Sequence, residues 1–133
     1  MKSPLPTTFA LMLAGSLLVG IAIGGGALDG LHAQAKRPAF TIAEVDVTDP
    51  AAFQAFIKRF SPAVAAAGGH FIANVHGRIV ATNGTPPKGV NLIAWDSLEQ
   101  TTAFFSSSTF RALIPLRDKG AKVRVFQVEG LPK

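Results

Sequence analysis

The sequence predicts an α+β domain, in which one antiparallel sheet carries two helices on a single face. Three observations predict it. Alternating apolar and polar residues mark a strand near each end of residues 40–130, and two segments between those strands have helical spacing. A segment dense in Gly and Pro, residues 83–89, separates two further strands. The predicted order of elements is therefore β-α-β-β-α-β.

Residues 1–35 are predicted to be a secretory signal peptide. Lys2 precedes an uncharged apolar run at 9–23, and Ala33 and Ala35 form a small-x-small cleavage pattern. We expect cleavage after Ala35, with residues 36–39 as a short lead-in, and a protein that is periplasmic or secreted. The alternative is a membrane-anchored protein with an uncleaved N-terminal helix, because residues 9–28 are long enough to span a bilayer.

Composition limits the chemistry that the chain can perform. The 133 residues include no Cys, so disulfides, thiol catalysis and a lipid-modified cysteine are excluded. Lys and Arg number 13 against 8 Asp and Glu, a net charge of +5, but the basic residues are scattered and form no stripe. We therefore expect no nucleic-acid partner. The sequence also lacks a phosphate-binding glycine loop and a serine-nucleophile elbow, and we expect no cofactor.

The first strand and first helix follow from local patterns. Residues 40–47 alternate, and the face predicted to pack on helices carries Thr41, Ala43, Val45 and Val47. Asp49 is predicted to cap a helix that begins at Pro50. The apolar stripe of that helix comprises Phe53, Phe56, Ile57, Phe60 and Val64. We expect Pro62 to bend this helix and the pair at 68–69 to end it, with one glycine in the left-handed conformation.

The remaining elements are a hairpin, a divided helix and a last strand. The second strand is predicted at 70–76, resuming at 78–83 past a bulge at Gly77, and the third at 90–95. Ser97 is predicted to cap the next helix with Gln100 as its capping-box partner, and serines at 106–108 interrupt that helix. The last strand is predicted at 122–129, and residues 131–133 form a tail.

This order is the ferredoxin-like split βαβ arrangement, which leaves one face of the sheet without helices. We expect Phe40, Ile42, Ile72 and Trp95 to point toward that face. A second copy of the chain is the simplest cover for such an apolar surface. The sequence thus predicts a homodimer that forms through the sheet face.

Three segments resemble the DUF1330 family: TIAEVDVTDP at 41–50, AAGGHF at 66–71 and AFFSSSTFRALIPLR at 103–117. The resemblance extends over residues 40–130 and implies a dimeric α+β barrel, in which two ferredoxin-like subunits pack sheet to sheet. It implies no reaction, because the family is named for having no assigned function. Phe53, Phe105 and Phe110 stand where the family often has tyrosine, so any role that needs a phenolic hydroxyl is absent.

The candidate site residues lie around the predicted bulge. His76 is a candidate general base, and Arg78 a candidate group for holding an anionic or enolate-like oxygen. Asn74, Glu44 and Trp95 are candidate ligand-binding residues. His70 and His76 would lie about 20 Å apart on a straight strand, and the segment after the signal peptide has no third histidine, so we expect no metal site.

Two alternatives stay open for the charged residues. Glu44 can face the site or pair with Arg124 on a neighbouring strand. Arg111 and Arg117 match the family pattern, but a helix-end arginine that binds local carbonyl groups is the simpler interpretation. The predicted function is an exported binding module for a small apolar or aromatic ligand. The alternative is a cofactor-independent enzyme of the monooxygenase or isomerase kind, so catalysis is left open.

Overall fold

The structure, a computed structural model, describes residues 37–133, and the predicted signal peptide lies outside this part. No helix within residues 37–133 is both long and apolar enough to cross a membrane. The elements follow in chain order as β1 Ala39–Val47, α1 Pro50–Ala66, β2 His70–Ala73, β3 Gly89–Trp95, α2 Leu98–Phe105, α3 Ser108–Arg111, α4 Ile114–Gly120 and β4 Ala121–Glu129.

The four strands form one antiparallel sheet in the order β2-β3-β1-β4. This is the ferredoxin-like order, so the predicted fold class is confirmed. β1 is central and pairs along its length with β3 and β4; Ile42, for example, lies between Leu92 and Phe126. Its residues alternate as predicted, since Thr41, Ala43 and Val45 are buried and their neighbours are half-buried.

α1 begins and ends as its sequence predicts. The carboxylate of Asp49 accepts a hydrogen bond from the amide of Ala52 over 3.1 Å, and the helix continues through Pro62. Gly68 adopts the left-handed conformation, with φ of 87°, and the amide of Gly69 donates to the carbonyl of Val64 over 2.9 Å. This termination satisfies a carbonyl at the helix end and turns the chain into β2.

The second strand differs from its prediction. β2 ends at Ala73, and residues 78–83 form no strand, so the predicted continuation past Gly77 is wrong. The register shift lies between Phe71 and Ala73, not at Gly77. The physical reason is that two asparagine side chains accept hydrogen bonds from backbone amides after Ala73. The amide of Val75 donates to Asn91 Oδ1 and the amide of His76 to Asn74 Oδ1, each over 3.0 Å, which turns the chain away from the sheet.

α2 is capped by Ser97, whose hydroxyl accepts from the amide of Gln100 over 3.2 Å. In the predicted capping box, the side chain of Gln100 would accept a hydrogen bond from the amide of Ser97. Instead, its Oε1 accepts from the amide of Asp96, one residue earlier, over 2.9 Å. Its Nε2 donates to the carbonyl of Ala67 over 2.9 Å. One glutamine therefore ties the end of α1 to the start of α2. The predicted interruption after α2 is confirmed, since Ser107 caps the short α3.

The core lies between the helices and the inner face of the sheet. Phe60 is its centre, stacked on Phe56 at 4.8 Å between ring centroids and in contact with other aromatic rings, namely Phe71, Phe104 and Phe110. Trp95 also belongs to this core: it is 2% exposed, and its ring lies 5.4 Å from that of Phe104. The prediction that Trp95 points to the open face is wrong, because Trp95 stands in register with buried Ala39.

Candidate functional site

A groove runs along α1 beside the turn that follows β2. It has a volume of about 220 Å³, and its residues are Phe53, Gln54, Ile57, Ser61, Phe71, Asn74, Val75, His76 and Asn91. We call it the α1 groove. Four of its residues, Phe53, Gln54, Val75 and His76, also line a neighbouring depression of about 310 Å³ that extends to Asp46 and Lys88. The two spaces therefore adjoin and share one wall.

Asn91 is the most buried of the polar residues that line the α1 groove. It projects from β3 in phase with Ile93 and is only 5% exposed. Its Oδ1 accepts from the amide of Val75 over 3.0 Å, which fixes the orientation of the side-chain amide. Among residues 37–133, no hydrogen bond uses its Nδ2, yet no fully buried side-chain nitrogen or oxygen lacks a partner. The Nδ2 amino group therefore keeps contact with open space. Asn91 lines two such spaces, the α1 groove and a small cavity of about 30 Å³ beneath the sheet.

The predicted residues Asn74 and His76 meet at the rim of the α1 groove. Asn74 closes a tight turn, since its carbonyl accepts from the amide of Gly77 over 2.9 Å and its Oδ1 from the amide of His76 over 3.0 Å. Both side chains are exposed, and both line the groove. The turn thus presents the imidazole beside the wall that the groove shares with the neighbouring depression.

Two other predicted site residues lie elsewhere. Arg78 is exposed and lines neither the α1 groove nor the depression beside it. Glu44 lies on the open face of the sheet, opposite Arg124 in the register. Arg124 Nη2 and Nε donate to the two carboxylate oxygens of Glu44 over 2.7 and 2.9 Å, a bidentate pair. Glu44 therefore belongs to an ion pair across β1 and β4 and does not face His76.

The ion pair changes the proton affinity of Glu44. The hydrogen bonds from Arg124 lower the pKa of the Glu44 carboxyl group below its ordinary value. Partial desolvation opposes this decrease in pKa, and the charge of Arg124 adds to it. The same contacts raise the pKa of Arg124. Both groups are therefore charged throughout the neutral range.

Trp95, the remaining predicted ligand residue, lies in the core and does not line the α1 groove. Its indole N–H is already used in a hydrogen bond to Thr41 Oγ1 over 3.0 Å. Within residues 37–133 there is no group of three or more His, Cys, Asp or Glu side chains placed to hold a metal ion.

The two arginines of the last helices differ in their surroundings. Arg111 donates to the carbonyl of Ser106 over 2.9 Å, as predicted for a helix-end arginine. Arg117 instead pairs with Asp118 over 2.7 Å, and its guanidinium lies 5.8 Å from the ring centroid of Phe110. It also lines a small cavity of about 30 Å³ beneath the sheet, room for about one water molecule.

The residue that sequence reasoning missed is Asn91. The available signal was its position: in the alternation of β3, an asparagine occupies an inward place otherwise filled by Ile93 and Trp95. A buried amide in an apolar row needs partners, so it marks either a structural bond or a site. Here Oδ1 makes a structural bond to the turn, and no hydrogen bond among residues 37–133 uses Nδ2.

Comparisons with solved structures agree with the fold. The RPA0582 protein of Rhodopseudomonas palustris, a protein of unknown function, is 13% identical, with a TM-score of 0.60 over 81% of this chain and 94% of that one. SnoaB, a cofactor-independent oxygenase from Streptomyces nogalater, is 12% identical, with a TM-score of 0.53 over 73% and 96% of the two chains. At these identities the likeness is one of fold alone. No curated protein matches the sequence significantly.

A family model covers nearly the whole described domain. The model is described as "Domain of unknown function (DUF1330)" and matches residues 38–131. Its limits coincide with the lead-in to β1 and the end of β4, so the match includes every element of the sheet and all four helices. The protein therefore belongs to the DUF1330 family.

Proposed function

We propose that the protein is an exported, dimeric module that binds a small apolar or aromatic molecule in the α1 groove. The observation that carries this proposal is the character of the groove. Apolar side chains from α1 (Phe53 and Ile57), β2 (Phe71) and the turn after β2 (Val75) line it, and polar side chains stand at its rim. Small-molecule sites combine an apolar lining with a few placed polar groups in this way.

The size of the groove favours a ligand of one aromatic ring or similar bulk. Its volume of about 220 Å³ is below the range of about 300–1,000 Å³ that is usual for drug-sized ligands. A larger ligand would extend past Val75 and His76 into the neighbouring depression. We therefore expect small fragments to bind more readily than multi-ring compounds.

The test is an unbiased ligand search with the purified protein, read by thermal shift and by backbone amide NMR. Ser61→Trp fills the groove from α1, whereas Arg59→Trp adds the same side chain to an exposed position that does not line it. We expect ligands that perturb the groove to lose at least tenfold in affinity with Ser61→Trp and to keep their affinity with Arg59→Trp. Equal affinity for both variants would place the ligand elsewhere and contradict the proposal.

The open face of the sheet supports the dimer. The helices cover one face, and the other carries Ile72, Phe126 and Val128, which are 57%, 43% and 46% exposed. Phe40, Ile42, Leu92 and Ala94 continue this apolar surface across the central strands. A second copy can cover it with its own equivalent face, and burial of apolar area on both sides would stabilise the pair.

Light scattering tests the dimer directly. We expect the purified protein to have the mass of two chains at micromolar concentration and Ile42→Lys to be monomeric, because the charge would lie between Leu92 and Phe126. Thr102→Lys, on the exposed side of α2, is the matched control and should stay dimeric. A monomeric wild-type protein would contradict this part of the proposal.

Export is supported by the signal-peptide pattern of residues 1–35. N-terminal sequencing of protein recovered from the periplasm or medium should begin at Lys36. An intact Met1 in membrane-bound protein would favour the uncleaved anchor instead.

A second candidate function is cofactor-independent catalysis, and the position of His76 favours it. The imidazole lies at the rim of the groove beside Asn74, where it can take a proton from a bound ligand. Arg78 lines neither the groove nor the neighbouring depression, so its predicted role of holding an anionic oxygen requires its side chain to move toward the bound molecule. For a ligand found in the search, loss of turnover with His76→Ala, but not with Arg59→Ala at an exposed position outside the groove, would support catalysis. A ligand that is released unchanged by the wild-type protein would contradict it.

A further inference from the structure

We infer that the ligand of the α1 groove is a neutral molecule whose carbonyl-type oxygen accepts a hydrogen bond from Asn91 Nδ2. This inference rests on the proposed function and specifies the chemical class of the ligand. It depends on two features: a side-chain donor of Asn91, a residue that lines the groove, which no hydrogen bond uses among residues 37–133, and the absence of Asp, Glu, Lys and Arg from the groove's lining.

This donor follows from the geometry of Asn91. The bond from the amide of Val75 to Oδ1 requires an oxygen at that position, so the two Nδ2 hydrogens point to the other side of the side-chain amide. Among residues 37–133 no hydrogen bond uses Nδ2, and Asn91 is only 5% exposed. Because no fully buried polar side-chain atom in that part of the chain lacks a partner, Nδ2 keeps contact with open space. A donor in such a place loses hydrogen-bond energy unless water or a ligand accepts from it. We therefore expect a ligand with a hydrogen-bond acceptor to bind in the groove more tightly than one without it.

The second feature is charge. No Asp, Glu, Lys or Arg is among the residues that line the α1 groove in the described part of the chain. Two such side chains, Asp46 and Lys88, line the neighbouring depression and are paired with each other over 2.7 Å. A carboxylate that entered the groove would lose hydration without gaining a Lys or Arg partner, and His76, at the rim, is the one ionisable side chain among the described residues of the lining. The groove therefore selects against anionic analogues of its ligand.

The other polar groups at the rim are compatible with this ligand class. Gln54 and Ser61 take part in no side-chain hydrogen bond within residues 37–133 and can serve a second polar group on the ligand. Phe53 and Phe71 provide apolar surface for a flat ring. A ligand with an aromatic ring and a ketone, aldehyde or quinone oxygen satisfies each of these requirements.

The experiment compares three probes of one shape on the purified protein. Acetophenone carries the carbonyl oxygen, α-methylstyrene replaces that oxygen with a methylene group, and benzoate carries a charge. Affinities are measured by NMR titration at pH 8, with assigned Asn91 side-chain resonances. We expect acetophenone to bind about threefold to tenfold more tightly than α-methylstyrene, the range for one neutral hydrogen bond. We expect benzoate to bind more weakly than acetophenone. The Nδ2 resonances of Asn91 should shift with acetophenone and not with α-methylstyrene.

Asn91→Asp provides the matched variant. Its carboxyl group keeps an oxygen that can accept from Val75 but removes the Nδ2 donors. We expect the preference for acetophenone over α-methylstyrene to disappear. The Nδ2 shifts in the wild-type protein give the same test without a substitution, so a variant that fails to fold does not remove it.

The outcomes separate this inference from the proposed function. If both neutral probes shift groove residues with equal affinity, and the Nδ2 resonances do not respond to acetophenone, the ligand class is wrong while the binding site stands. Tighter binding of benzoate would likewise overturn the inference. If none of the probes, nor any compound in the wider search, perturbs the groove, the proposed function itself fails.

Discussion

The indole nitrogen of Trp95 donates a hydrogen bond to Thr41 Oγ1 over 3.0 Å in the centre of the core. The same hydroxyl oxygen lies 2.9 Å from Thr101 Oγ1, and all three residues are at most 2% exposed. A short polar chain thus joins β3, β1 and α2 within an otherwise aromatic core. It accounts for the buried polar atoms of all three side chains, so the core contains polar groups without leaving them unpaired.

Thr41→Val should destabilise the protein by about 1–3 kcal/mol. Valine fills the same space but leaves the indole N–H of Trp95 without an acceptor in the buried core. Urea unfolding at one fixed protein concentration measures the change in the free energy of unfolding. Thr102→Val, the same change at an exposed position of α2, is the control. Equal stability of the two variants would show that the hydrogen bonds of Thr41 do not contribute to the stability of the fold.

Gly120→Ala should also destabilise, because the end of α4 lies directly against α1. A methyl group at Gly120 would lie 2.7 Å from the Cα atom of Phe53, and backbone cannot move aside as a side-chain tip can. The Gly120 carbonyl also accepts from the amides of Thr48 and Asp49, which holds α4 against the start of α1. We expect a loss of about 1–3 kcal/mol by thermal or urea unfolding. Lys119→Ala, at the exposed neighbouring position, should have little effect.

Phe60→Ala should lower the stability of the fold, whereas Phe126→Ala should mainly weaken the dimer. Phe60 lies at the centre of the aromatic core, so its truncation should cost about 3–5 kcal/mol in the free energy of unfolding. Phe126 lies on the open face of the sheet, where truncation should mainly weaken the proposed dimer. Unfolding curves and light scattering on both variants check this. A dimer unaffected by Phe126→Ala would indicate that the open face is not the interface.

The pKa of Glu44 should rise toward its ordinary value in Arg124→Gln. Because hydrogen bonds from Arg124 lower the pKa in the folded protein, the pair stabilises the fold above the unfolded-state pKa of the carboxyl group. That contribution disappears as pH falls through the folded-state pKa. NMR titration of the Glu44 carboxyl carbon measures the shift directly. Identical titration curves for the wild-type protein and Arg124→Gln would show that Arg124 does not lower the pKa of Glu44.

Local sequence signals predict most of the fold. Asp49, Ser97 and the glycine pair at 68–69 act at short range, so their positions fix the ends of α1 and the start of α2. The alternation of β1 likewise assigns its two faces correctly. These features depend on neighbours within about four residues, which the sequence itself displays.

The errors come from contacts between distant residues. β2 ends where the amide of Val75 donates a hydrogen bond to Asn91, sixteen residues away in the sequence. No local sequence pattern indicates that bond. The face of Trp95 depends on its register with Ala39 of β1. Of the predicted site residues, Asn74 and His76 lie together at the rim of the α1 groove. Glu44 lies on the open face and Trp95 in the core, and Asn91 was not among the predicted residues.

The most direct test of small-molecule binding in the α1 groove is a crystal structure of the protein with acetophenone bound. We predict the aromatic ring between α1 and the turn at residues 74–77, with the carbonyl oxygen at about 2.7–3.2 Å from Asn91 Nδ2. A ring bound on the open face of the sheet would contradict binding in the α1 groove, and a ring in the groove with its oxygen turned away from Asn91 would contradict the role of Asn91 as its donor.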